Sequence, residues 1–190
     1  AIATSGTLAA TPAIAGEVEL KPLIEARLRY ENVEQAGVLV EADAVTLRMR
    51  AGIEAKKGPF ALLVEAEGTL AIVEDYNSGV NGKPGPIIAD PQNIELNRAQ
   101  IQFTGIPKTV ITAGRQRINL DDQRFVGSVG WRQNEQTFDA VRAEAAFGPV
   151  SLDATYAISQ RTIIWRLRMW SSSIWVPSRM RRSCTSALRV

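Results

Sequence analysis

The chain has 190 residues, enough for one domain with a sizeable core, and a net charge of +2. It has no histidine and a single cysteine, Cys184. That excludes a His-dependent catalytic triad, a disulfide framework and a Cys/His zinc site within one chain. No run of about 18 apolar residues occurs, so no membrane-spanning helix is predicted.

Residues 1–15, AIATSGTLAATPAIA, are small and uncharged. Ala13-Ile14-Ala15 before Gly16 fits the small-x-small pattern of a signal-peptide cleavage site. The segment reads as the remnant of an export signal, which places the protein outside the cytoplasm. From residue 16 to 160 apolar and polar residues alternate with period two, the mark of β-strands. In 20–31, Pro22, Ile24, Ala26, Leu28 and Tyr30 share one face, against Lys21, Glu25, Arg27, Arg29 and Glu31. In 44–56, Val45, Leu47, Met49, Ala51 and Ile53 oppose Arg48, Arg50, Glu54 and Lys56. Gly58-Pro59 marks a tight turn. Phe60, Leu62, Val64 and Ala66 then oppose Glu65, Glu67 and Thr69. Residues 75–93 are rich in Gly and Pro and read as a long loop. Ala99, Ile101 and Phe103 oppose Arg98, Gln100 and Gln102. After a turn at 105–108 comes TVITAGRQR, where Arg115 and Arg117 share a face with Ile111 and Ala113, so the orientation stays open. A second long loop precedes Val141, Ala143, Ala145 and Phe147, opposed by Arg142 and Glu144. Gly148-Pro149 turns into a last strand, with Leu152, Ala154, Tyr156 and Ile158 against Asp153 and Thr155.

The prediction is all-β: about seven or eight antiparallel strands of about ten residues, joined by alternating short turns and longer loops. That is the layout of a transmembrane β-barrel, here a partial one. The apolar faces are rich in Ala, which fills a packed core poorly but is acceptable against lipid. Tyr30, Phe60, Phe103 and Phe147 sit near strand ends, where interfacial aromatics belong. The apolar face therefore meets lipid, and the charged face lines an aqueous lumen. Two rival readings are a small closed eight-stranded barrel with an anchoring role and a soluble β-sandwich that binds carbohydrate.

The segment 112–144 carries Gly114-Arg115-Gln116, Arg124-Phe125-Val126-Gly127, Trp131-Arg132-Gln133 and Thr137-Phe138-Asp139 in order. It resembles the alginate-export family of outer-membrane β-barrel proteins, and LKPLIEARLRYENV (20–33) resembles that family's first strand. The resemblance, over about 20 to 160, implies a Gram-negative outer-membrane barrel. It would pass small solutes or an acidic polysaccharide, and the barrel-assembly machinery would insert it. Family barrels have about twice this many strands, so the segment implies only the N-terminal part of one.

In a pore, function lies in lumen charge and a constriction. The candidate lining and solute-binding residues are Arg27, Arg29, Arg48, Arg50, Arg98, Arg115, Arg117, Arg142, Glu65 and Glu67. Arg27, Arg29, Arg48 and Arg50 form either a basic ladder for carboxylates or one half of cross-strand ion pairs with Glu25, Glu54, Glu65 and Glu67. Glu65 and Glu67 share a face but read as paired wall charges, and no enzymatic activity is expected. Asp121, Asp122 and Asn119, like Asp75, Asn77 and Asp90, read as solvated loop residues. No metal, no cofactor and no nucleic-acid partner is expected.

After Thr162 the sequence changes. Residues 161–190 hold seven Arg, three of the four Trp and no acid, leaving 15 basic and 20 acidic residues before them. Ile163, Trp165, Leu167 and Met169 alternate with Arg166 and Arg168 as an eighth strand would. The segment otherwise has the Arg/Ser/Trp composition of an out-of-frame reading of GC-rich DNA.

Overall fold

The computed structural model describes residues 17–164 together with Arg166 and Leu167. The leader reading of residues 1–15 and the basic tail after Leu167 lie outside the described residues. The described chain forms one antiparallel sheet in sequence order, with each strand paired to the next. The strands are β1 (Glu19–Val33), β2 (Ala42–Lys57), β3 (Phe60–Asp75), β4 (Asn93–Phe103), β5 (Thr109–Gln116), β6 (Thr137–Phe147), β7 (Val150–Arg161) and β8 (Arg166–Leu167). The turns fall where Gly58-Pro59 and Gly148-Pro149 predict them, and the long connections are 76–92 and 117–136.

One expectation needs correction. β1 to β3 run for 15 or 16 residues rather than about ten. Their pairing continues past the apolar stretch, through Asn32↔Asp43 and Asp43↔Asp75, because a ladder needs only backbone partners. Of the possible eighth strand over Ile163 to Met169, the described residues show Arg166–Leu167, which pair Gln160↔Leu167 and Arg161↔Arg166, while Trp165, Arg168 and Met169 lie outside the described residues.

The faces are divided as the alternation predicts. Pro22, Ile24, Ala26, Leu28 and Tyr30 are exposed, as are Met49, Ile53, Leu62, Val64, Ile101, Leu152 and Tyr156. Arg48, Arg50, Glu65 and Glu67 are buried. A soluble sandwich would show the reverse, with its apolar side chains packed against a second layer. Among the described residues there is one sheet, and β1 does not pair with β8, so it is neither a sandwich nor a closed eight-stranded barrel. Near the turns, Phe60 and Phe103 pack ring on ring at 4.9 Å.

The sheet curls about its charged face. Arg161 on β7 forms an ion pair with Glu95 on β4. Three strand spacings at about 4.8 Å each separate those strands, more than the two side chains bridge on a flat sheet. Two small apolar clusters lie under the long loops on this inner side. Tyr76 and Ile88 pack with Ala42 and Ala44, and Ile118 packs with Phe138, Ala140 and Ala157. These clusters dock both loops on the wall instead of leaving them in solvent.

Candidate functional site

The inward side chains of neighbouring strands meet by register. Glu25 lies opposite Arg50, Arg50 opposite Glu67, and Glu65 opposite Arg98. They build one ion cluster. Arg50 reaches Glu25 at 3.3 Å, Glu67 at 2.5 Å and Glu135 at 2.6 Å. Arg48 pairs with Glu25. Arg98 grips Glu65 with two bonds, of 2.9 and 2.5 Å. Arg117 joins Glu65 at 3.1 Å and pairs with Glu135. Burying such charges is tolerable only when each has a partner, and here four Arg balance four Glu.

A β-bulge sharpens the cluster. Glu65 pairs with Arg98 and the next residue, Ala66, pairs with Leu96, so Asn97 has no cross-strand partner. Two successive β4 side chains therefore turn toward one β3 carboxylate. Asn97 Nδ2 donates to Glu65 at 2.9 Å and also contacts Glu135 at 3.3 Å.

The loop 117–136 crosses this face from β5 to β1. Arg27 clamps its tip. Arg27 Nε donates to Gln133 Oε1 at 2.9 Å, and its Nη atoms donate to the carbonyls of Gly130, Trp131 and Arg132 at 3.1, 2.9 and 2.5 Å. Gln133 Nε2 donates to the Thr46 carbonyl and hydroxyl, both at 2.9 Å, and Gln133 N donates to Asp90 at 2.9 Å. Thr69 donates to Asn134 Oδ1 at 2.8 Å, and Glu135 N donates to Glu67 at 3.3 Å. Gln133, Asn134 and Glu135 are all buried. Asp90 brings the other long loop in, accepting from Arg29 at 3.4 Å and lying 3.7 Å from Arg132. Tyr76 donates to the Asp90 carbonyl at 2.8 Å. Burial, with the nearby Glu74 and Asp90 charges, pushes its phenol up to about 12.

The sequence-predicted residues divide into four groups. Arg48, Arg50, Arg98, Arg117, Glu65 and Glu67 come together in the ion cluster. Arg27 and Arg29 hold the loop tip. Arg142 lies apart, toward the short turns, where it pairs with Asp153 at 2.5 Å and Glu144 at 2.9 Å. Arg115 sits opposite Ala99 and Asp139 on the apolar side, bonded to Asp139 at 2.8 and 3.1 Å. The open orientation in TVITAGRQR is thus settled separately for each Arg. At Gly114, with φ 112, a Cβ would lie 2.3 Å from the Ala99 carbonyl, so the chain approaches where only glycine fits. β5 ends at Gln116, and Arg117, beyond it, is free to turn inward. Sequence reasoning missed Asp90, Asn97, Arg132, Gln133 and Glu135 as members of the site. The one available signal was the Trp131-Arg132-Gln133 segment.

Glu54, expected to pair with an Arg, pairs with Lys56 at 3.1 Å. Among the described residues no group of acidic, His or Cys side chains is arranged to hold a metal ion. The cluster's carboxylates are taken up by guanidinium and amide donors.

Residues 24–161, which cover most of β1 and all of β2 to β7, match the model of the family described as alginate export. No curated protein and no solved structure matches the chain. The chain belongs to the alginate export family, a transport family of the outer membrane.

Proposed function

We propose that this chain forms part of the wall of a porin-like channel in the outer membrane of a Gram-negative bacterium, through which solutes pass passively. In this reading the loop 117–136 is the constriction. The observation that carries it is the inverted distribution of side chains. Leu, Ile, Val and Met are bare on one face, while Arg and Glu are buried under a docked loop on the other. A soluble monomer rarely exposes a contiguous apolar patch beyond a few hundred Å². A barrel wall must expose one to lipid.

Acidic polysaccharide such as alginate is the favoured solute. The ion cluster is internally balanced and offers little attraction of its own. Around the loop tip, by contrast, Arg27, Arg29 and Arg132 stand against Glu31 and Asp90. That local excess of positive charge lies where the loop narrows the passage and would favour uronate carboxylates. The barrel-assembly machinery is the expected insertion partner.

Fractionation followed by planar-bilayer recording tests this. The protein should partition with outer membranes, run heat-modifiably in detergent and give discrete conductance steps with an anion-biased reversal potential. Recovery in the aqueous fraction without conductance overturns the proposal.

A further inference from the structure

Trp131 is 61% exposed, yet its backbone is among the most firmly held in the loop. Its carbonyl accepts from Arg27 Nη2 at 2.9 Å and Arg29 Nη1 at 3.0 Å. Two residues earlier, Val129 has φ 53, a left-handed conformation that a β-branched residue adopts only under strain. The Arg132 guanidinium lies 4.3 Å from the indole centroid and that of Arg29 lies 5.6 Å away. Both are fixed in turn: Arg132 by Glu31 at 3.3 Å, and Arg29 by Glu31 and by Asp90 at 3.4 Å. The result is a rigid, largely bare indole beside two immobilised forks. Arg27 and Arg29 hold it on the charged face, where lipid anchoring does not explain an aromatic.

An indole face stacks on the apolar C–H face of a pyranose, and a guanidinium fork matches a carboxylate on the same ring. We propose that Trp131, Arg29 and Arg132 form a saccharide platform that recognises the sugar ring by stacking and adds a preference for its acidic form. It rests on the channel reading only for how sugar reaches it.

The variant W165F/W170F/W175F leaves Trp131 as the sole tryptophan. It is titrated in detergent micelles with maltohexaose and with hexagalacturonate. Both should shift Trp131 emission saturably. The acidic hexamer should bind about tenfold more tightly at low salt, an advantage lost in 1 M NaCl, where the Debye length falls to about 3 Å. Arg132→Gln should bring the ratio between the two sugars toward one. In the otherwise native chain, Trp131→Phe should remove the emission shift. If emission stays constant with both sugars while the protein remains heat-modifiable, the indole is a packing group for more of the wall and the platform is overturned. Because the titration needs no conduction, binding without conductance overturns the channel reading alone, and conductance without binding overturns the platform alone.

Discussion

Arg27 and Gln133, 106 positions apart in the chain, are joined in both directions. Arg27 Nε donates to Gln133 Oε1 at 2.9 Å, and Gln133 Nε2 donates back to the Arg27 carbonyl at 3.4 Å. This contact ties the loop 117–136 to β1. Arg27→Ala would remove the donor that four loop oxygens share. Hydrogen bonds to a charged group contribute about 1.5–3 kcal/mol each and do not add. A loss of about 3 kcal/mol in docking is expected, which is roughly a hundredfold more open loop. Tryptic cleavage after the half-buried Arg132, measured in micelles, should accelerate by about that factor. Conductance should rise in the same variant.

The Arg50 cluster makes a second prediction. Arg50 and Glu67 are 4% and 1% exposed, and both lie against Glu135. Arg50→Ala leaves two buried carboxylates facing each other and should cost about 3–5 kcal/mol in vesicle unfolding by urea. The double change Arg50→Met with Glu67→Leu should recover most of that loss. Additive losses in the double variant would show that the pair is not coupled.

The outward face gives a third. Met49 is 56% exposed in the middle of β2. Were that surface in water, Met49→Arg would be nearly neutral. Against acyl chains it should cost about 2–4 kcal/mol, whereas Asn32→Arg, near the strand end, should cost about 0–1. Unfolding in phospholipid vesicles separates the two cases.

Tyr76 supplies a pH dependence. Its folded pKa, pushed up to about 12 chiefly by burial, exceeds the ordinary value of 10. The neutral phenol is therefore favoured by folding. Its contribution is fully present below pH 10 and fades as pH rises through 10 toward 12. In an absorbance titration at alkaline pH, Tyr76 should give a late ionisation step, well above pH 10. Tyr76→Phe should abolish that late step.

Much of this architecture was legible because period-two alternation reports directly which side of a strand is apolar. Pro22 to Tyr30 and Val45 to Ile53 place their faces without ambiguity, and Gly-Pro pairs place the turns. The sequence did not disclose where alternation lapses. At Asn97-Arg98 a bulge turns two successive side chains inward, and no residue type there announces it. Arg115 and Arg117 look equivalent, yet one lies on the apolar side and the other enters the cluster, because β5 stops between them. The loop tip was hidden for a related reason. Gln133, Asn134 and Glu135 are polar residues of a long loop, but their donors and acceptors are satisfied by Thr46, Thr69, Pro91 and Glu67. Only tertiary contacts make a polar triplet a buried one.

Residues 61–64 on β3 report which solvent each face meets, since all four are apolar and hydropathy alone cannot separate them. Leu62 and Val64 are exposed, whereas Ala61 and Leu63 are half-buried on the charged side. Spin labels would be placed singly at these four positions in a Cys184→Ser background and reconstituted in lipid vesicles. Labels at 62 and 64 should be relaxed by oxygen dissolved in the bilayer, and labels at 61 and 63 by a water-soluble nickel chelate. Equal access of the nickel chelate to all four positions would show that both faces meet water and that the apolar face does not lie against lipid.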